Sequence, residues 1–259
     1  KLDIADDEEA ARLKAAIEAG QFSVTSVEKK PTKRNPYAPF TTSSLQQDAS
    51  SRLGFSPTRT MQIAQRLYED GIITYMRTDG VQMAPEGIAE ARRAIEKEFG
   101  TAYLPPTPRL YQTKAKNAQE AHEAIRPTDM FRHPDTLRGG DADQQKLYAL
   151  IWRRTLASQM RSAEIERTTA DIEVGGSSRA ITLRATGSVV TFPGFLALYG
   201  VEAKEDRTED ADDEDSRELP PLAAGGPAAR KDCGIRQHFT QPPPRPAQIR
   251  QRRERLWIG

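Results

Sequence analysis

Apolar residues recur at helical spacing over residues 6–19, where Leu13 and Ile17 share a face, Asp6 stands at the cap position and Gly20 follows. Acidic residues fill the first turn, where they complement the helix dipole. The period then shortens to two, and Phe22-Ser-Val-Thr-Ser-Val27 alternates as a strand does. Lys29 to Pro36 is basic and punctuated by proline, which reads as a connector, either solvated or in contact with phosphate. Helical spacing returns from Thr41 or Thr42 to about Leu53. After the break Gly54-Phe55-Ser56, a second helix begins with Ser56 as cap and Pro57 at its first position. Met61, Ala64, Leu67 and Tyr68 form its apolar stripe, and Gly71 stops it.

Gly71-Ile-Ile-Thr-Tyr-Met-Arg-Thr-Asp79 has the β-branched character of a short strand, closed by Asp79-Gly80. Alternation puts Ile73, Tyr75 and Arg77 on one face and Ile72, Thr74 and Met76 on the other. Two helices joined by a short turn and followed by a strand make a helix-turn-helix with the first strand of a wing, or else an ordinary helical hairpin. A helix over 85–99 starts with Pro85 and ends at Gly100. A proline-rich loop, 104–108, leads to a short helix in Asn117–Pro127 that the proline halts. Asp141 caps a long helix to about Met160, with Leu147, Leu150, Ile151 and Ala157 inward. The period changes again near Ser162. Strands are expected over 164–174, 178–186 and 189–192, with Gly175-Gly176 as a hairpin turn. The pattern as a whole predicts an α+β fold, with residues 22–27 joining the late strands in one sheet and a helical block, 40–162, inserted into a β-rich domain made of 1–39 and 163–201.

Composition changes the picture mainly at the C-terminal end. The 259 residues carry a net charge of +1, with 37% hydrophobic and 29% charged residues. Between Glu202 and Glu218 there are ten acids against three bases, and such a run cannot bury apolar surface. Residues 202–236 are therefore expected to be a disordered acidic linker. Residues 237–259 read as the aberrant or truncated start of a following domain, extended by prolines at 242–244. The lone Cys233 excludes an internal disulfide and a cysteine-rich zinc cluster, which fits a reducing cytoplasm. No apolar run reaches membrane-spanning length, and no secretory pattern opens the chain, which begins at Lys1 as a segment of something longer would. Near-zero net charge means that any surface for nucleic acid must be local.

The candidate chemistry lies in the 71–79 stretch. Cleavage of a phosphodiester by a protein hydroxyl needs a positioned nucleophile, donors for the non-bridging oxygens, a proton route and a held backbone. Tyr75 can be the nucleophile, and Arg77 can clamp the phosphate through its fork of donors. The alternative is a core tyrosine in a buried strand. His122 lies among polar neighbours, Glu120 and Glu123, that could orient it or shift its pKa. The helix start at Ser56 offers backbone donors to a phosphate, and Arg59 adds charge.

Three runs, Pro39-Phe-Thr-Thr-Ser-Ser-Leu-Gln-Gln-Asp-Ala-Ser50, Gly71–Asp79 and Ala121-His-Glu-Ala-Ile-Arg-Pro127, resemble in content and order the type IA family of DNA topoisomerases, to which bacterial DNA topoisomerase I belongs. The resemblance covers residues 1–201 and resumes at Gln237–Arg245. It implies that Tyr75 cuts one DNA strand and holds the 5′ phosphate, that Arg77 positions that phosphate and that His122 lies near it. Thr74, Ser56, Pro57 and Arg59 would fall where the family touches DNA. The helical block would be a CAP-like, winged-helix-like domain carried by a β-rich arch, whose opening admits the second strand and relaxes negative supercoils without ATP. The implied partner is DNA, single-stranded or negatively supercoiled by preference, met by a monomeric, cytoplasmic, nucleoid-associated protein with no membrane contact. The family's Mg2+ is held by a toprim domain, which this chain lacks, so the chain itself is expected to bind no metal and to be nearly inactive alone. Residues 223–236 and 246–259 depart from the family pattern, as a truncated or frameshifted coding region would. Two other readings compete: a non-catalytic helix-turn-helix DNA-binding module, and a tyrosine recombinase or type IB enzyme. In the latter, the cationic residues and a histidine precede the tyrosine, whereas His122 follows it.

Overall fold

A computed structural model of the chain describes residues 6–112, 123–137, 141–176, 180–204, 224–225, 227–228, 234–236 and 255–257. His122, Glu120, nearly all of the acidic run and the Gln237–Arg245 stretch lie outside the described residues. The chain divides into two units: 1–31 with 166–189 and 211–259, and 32–165 with 190–210. Helix and sheet are mixed, as the change of period predicts. Among the described residues no helix is long and apolar enough to cross a membrane.

In the first unit, helix α1 (Asp7–Ala19) starts where the Asp6 carboxylate accepts the Glu9 N–H at 2.7 Å. Its Leu13 and Ile17 form one buried cluster with Val174 and Ile181. Those partners come from strands β2 (Ala163–Gly175) and β3 (Ile181–Phe192), which lie in a four-stranded sheet of order β3-β2-β1-β4. Strand β1 is Gln21–Arg34, and β4 is the short Pro227–Ala228, which pairs antiparallel with Phe22 and Ser23. A second antiparallel pair joins β5 (Gly234–Arg236) to β6 (Arg255–Trp257). The expected joining of residues 22–27 to the late strands is thus observed. Two expectations need correction. The basic stretch after Val27 is not a connector but continues β1. Its side chains reach β2, with the Lys29 ammonium on Glu166 at 2.8 Å and the Thr25 hydroxyl on the Asp171 carbonyl at 3.0 Å. Beyond Ser23 no described strand pairs with the other edge of β1, which leaves an edge where Pro31 is tolerated. Nor do Gly187 and Ser188 interrupt the last strand, because Gly187 is buried within β3. Arg184 of β3 forks onto Asp171 of β2 at 2.8 and 3.2 Å, and those hydrogen bonds hold the carboxyl below its ordinary pKa.

The second unit is built on helix α5 (Ala142–Gln159), against which α2 (Thr42–Leu53), α3 (Pro57–Glu69) and α4 (Pro85–Phe99) all pack. Asp141 and Gln144 start α5 with a reciprocal capping box, and Leu147, Leu150, Ile151 and Ala157 are buried as their spacing predicts. Each such leucine or isoleucine side chain contributes about 1.5–3 kcal/mol when fully buried. Tyr148 and Trp152 bring polar tips into the core and satisfy them on the loop before α5. The phenol donates to the Arg132 carbonyl at 2.7 Å, and the indole N–H donates to the Met130 carbonyl at 3.0 Å. Burial pushes the Tyr148 phenol far above its usual pKa. The capping box of α2, Thr41 with Ser44, is present, as is the Ser56 cap of α3. The stripe of α3 is shifted from the expected one: Thr60, Ile63, Ala64 and Leu67 face inward, while Tyr68 is 42% exposed. Residues 123–127 are extended rather than helical. Ile125 bridges Phe40 and Pro127 bridges Ile73, since proline both lacks a donor and disfavours helical backbone at Arg126.

One glycine in this unit has no substitute. Gly194 has φ +51°, and a Cβ there would lie 2.5 Å from the Ser162 carbonyl oxygen and 2.6 Å from that of Arg161. Gly54, with φ +67°, has nothing within 4 Å of such an atom. Alanine at either position meets backbone strain of about 1–3 kcal/mol, but only Gly194→Ala adds a collision with rigid carbonyls. Gly194→Ala is expected to lower the thermal midpoint by at least about 4 °C and by clearly more than Gly54→Ala. Circular-dichroism melts of the two variants check the ordering, and equal shifts would show that the carbonyl contacts carry no weight.

Candidate active site

The segment after α3 belongs to neither a helix nor a strand. Only Ile73 pairs, in a single bridge to Pro127, and the chain bends from there to Arg77, so the expected wing strand is absent. The cause is visible in the side chains. Ile73 is 1% and Met76 4% exposed, and both enter the core shared with α2, α3 and α5. Burying residues three apart is impossible for a flat strand with one buried face, so the backbone turns between them. The turn places Ile73 inside, against expectation, and leaves Tyr75 and Arg77 outside on either side of Met76. Tyr75 is 36% exposed. Among the described residues the Arg77 guanidinium has no hydrogen-bond or ion-pair partner.

The bend is held from both sides. Upstream, the Thr74 N–H donates to the Arg126 carbonyl at 2.9 Å, and the Thr74 hydroxyl donates to the Ala124 carbonyl at 2.8 Å while accepting the Arg126 N–H at 3.0 Å. The Thr128 hydroxyl lies 2.7 Å from the Gly71 carbonyl and 3.1 Å from that of Ile72. Downstream, the Thr42 hydroxyl at the start of α2 lies 2.9 Å from the Met76 carbonyl and 3.1 Å from that of Thr78. It accepts the Thr78 N–H at 2.8 Å, and the Thr42 N–H donates to the Thr78 carbonyl at 2.9 Å. The ring of Tyr68, on the last turn of α3, meets the Tyr75 ring edge-on with centroids 5.3 Å apart. Such a contact contributes about 0.5–1.5 kcal/mol and restricts the Tyr75 ring.

The strand of residues that braces Tyr75 is itself braced. The Arg126 guanidinium forks onto the Glu123 carboxylate, with Nη2 to Oε2 at 3.1 Å and Nε to Oε1 also bonded, and the same Oε1 accepts the Ala84 N–H at 2.9 Å at the start of α4. Gly87 makes room for this, because a Cβ there would sit 2.9 Å from the Arg126 Cζ. Glu123 therefore holds the start of α4 and pairs with Arg126; His122, which the sequence set beside it, lies outside the described residues.

The residues singled out in the sequence fall into three groups. Tyr75 and Arg77 are neighbours on one exposed bend. Thr74 is half-buried, with its hydroxyl committed to the 124–126 backbone rather than to open surface. Ser56, Pro57 and Arg59 are exposed but sit at the far end of α3, about 18 Å along the helix from Tyr68. There the Ser56 hydroxyl accepts the Arg59 N–H at 3.3 Å. The Arg59 guanidinium lies over the Phe55 ring and bonds Asp143 of α5 through Nε at 3.0 Å and through Nη2. Thr42, Tyr68 and Arg126 were not singled out as site residues in the sequence, and Glu123 was named there only as a neighbour of His122. Nothing in the spacing of a threonine at the first position of a helix announces that its hydroxyl reaches a loop 34 residues away.

Residues 1–249 match the family described as DNA topoisomerase. DNA topoisomerase 1 of Zymomonas mobilis is 51% identical over 262 residues, covering 100% of this chain and 21% of that protein. The Rickettsia typhi protein of the same name is 43% identical over 270 residues, covering 100% of this chain and 34% of its own length. That of Streptomyces coelicolor is 47% identical over 244 residues, covering 93% and 25%. Among solved structures, full-length topoisomerase I from Thermotoga maritima superposes with a TM-score of 0.67 at 31% identity, over 86% of this chain and 34% of that one. The chain thus spans between about a fifth and a third of the length of these relatives. The match through residue 249, together with this agreement in sequence and fold, shows that the chain belongs to the DNA topoisomerase family.

Proposed function

We propose that residues 1–259 form the tyrosine-bearing part of a type IA DNA topoisomerase, an enzyme that cuts and rejoins one DNA strand and so relaxes negative supercoils without ATP. The observation that carries this reading is the exposed Tyr75–Arg77 bend, held by hydrogen bonds on both sides and flanking a buried methionine. The Tyr75 oxygen attacks a backbone phosphorus, the bond from phosphorus to the 3′ oxygen breaks, and the 5′ phosphate stays on the tyrosine. The departing 3′ oxygen takes up a proton, and the reverse attack rejoins the strand. Arg77 neutralises the non-bridging oxygens as charge builds on them. His122 organises the phosphate from the segment preceding Glu123. Residues 40–162 serve as the CAP-like carrier of the tyrosine, and 1–39 with 163–201 as parts of the arch, in a monomeric, nucleoid-associated cytoplasmic protein.

The magnesium that this family uses is assigned to the toprim domain. Among the described residues no group of three or more His, Cys, Asp or Glu side chains could hold a metal ion. Tyr75 and Arg77 are the groups of this chain that act on the phosphate, and they favour a substrate whose backbone can enter the bend without an opposing strand. Stacking of unpaired bases on exposed aromatics adds to that preference.

Four outcomes are expected. In the complete topoisomerase containing this segment, Tyr75→Phe abolishes the covalent adduct trapped by denaturant on a labelled single-stranded oligonucleotide. Arg77→Ala lowers its rate of formation about 10²–10³-fold. An adduct that persists in Tyr75→Phe removes Tyr75 from the role. Residues 1–259 by themselves leave negatively supercoiled plasmid unrelaxed in the presence of magnesium, and robust relaxation would overturn the division of labour proposed between this chain and the toprim domain. The complete enzyme binds a single-stranded oligonucleotide more tightly than the same sequence as a duplex at moderate salt, as a filter-binding titration would show. Equal affinity would count against the strand preference.

A further inference from the structure

We infer that Thr42 is a positioning residue for Arg77, acting through the backbone on both sides of it; this rests on the role proposed for Arg77 above. Arg77 has no secondary structure of its own to fix its direction. Its neighbours Met76 and Thr78 are held by one hydroxyl. The Thr42 oxygen lies 2.9 Å from the Met76 carbonyl and 3.1 Å from the Thr78 carbonyl, and it accepts the Thr78 N–H at 2.8 Å. A hydroxyl can do this because it donates one proton, here shared between two carbonyls, while accepting another. The Thr42 N–H adds a further bond to the Thr78 carbonyl at 2.9 Å, so the first turn of α2 and the residues flanking Arg77 move as one piece.

Both anchors are immobile. Thr42 is the first residue of α2, whose capping box fixes the start of the helix and whose Leu45 and Ala49 are fully buried. Met76 and Thr78 are 4% and 6% exposed, so their backbone groups have few other ways to be satisfied. Without the hydroxyl, the Thr78 N–H loses its acceptor, and the backbone that aims the guanidinium is free to turn. A clamp on a phosphate works only while its donors stay aligned, because a misplacement of about 1 Å costs about 10²-fold in rate. Thr42 does not touch the substrate, and its effect must therefore pass through Arg77.

The test is a double-mutant cycle in the complete topoisomerase, read as the rate of adduct formation on a saturating single-stranded oligonucleotide, with binding affinity and thermal midpoint measured beside it. Thr42→Val, which keeps the shape and removes the hydroxyl, is expected to slow cleavage about tenfold while oligonucleotide affinity stays within about twofold. Thr42→Ser restores the rate. In the Arg77→Ala background, Thr42→Val is expected to cost less than about twofold, since the group it positions is gone. Should the valine prevent folding, Thr42→Ala removes the same hydroxyl with less bulk and completes the same cycle. A penalty of undiminished size in the Arg77→Ala background overturns the inference and leaves the role of Arg77 intact. A Thr42→Val enzyme of full rate overturns it also. An Arg77→Ala enzyme of full rate overturns the proposed role of Arg77 itself and the inference with it.

Discussion

Between Gly71 and Thr78 the chain belongs to no helix or strand, so its buried N–H and C=O groups must find partners elsewhere in the unit. They find them in three places: the last turn of α3, the extended residues 124–128 on one side, and the first turn of α2 on the other. That requirement orders the rest. Residues 124–128 can serve as a partner because Ile125 bridges Phe40 and because Glu123 and Arg126 tie the segment to α4. The first turn of α2 can serve because its capping box and buried leucine hold it against α5. The core of the unit thus converges on a bend that has almost no local structure of its own.

Much of the fold was legible in the sequence for reasons that are local. The caps at Asp6, Thr41, Ser56 and Asp141 satisfy backbone donors within three residues, so their signals are complete in a short window. The inner face of α5 followed from spacing alone. The misreadings share a different cause. The extension of β1 through Lys29 and Pro31, the extended form of 123–127 and the bend at Tyr75 are each decided by partners more than thirty residues away, to which local propensity is blind.

The candidate site divides in the same way. Tyr75 and Arg77 were recognised through motif and residue chemistry, and both emerged on the surface. Strand alternation put them on a common face with Ile73. In the structure they share a surface because Met76 is drawn into the core between them, and Ile73 is buried. Tyr68 was assigned to a buried stripe because it follows Ala64 by four residues, but that spacing turns it about 40° around the helix from Ala64, where its ring meets Tyr75.

The groups that lock the bend are threonine hydroxyls and backbone amides, none of which gains or loses a proton in water near neutrality. The bend itself is therefore held by uncharged contacts, with the Glu123–Arg126 ion pair one layer behind them. A change of charge or ionic strength nearby acts on the ion pair behind the bend before it reaches the hydrogen bonds of the bend itself.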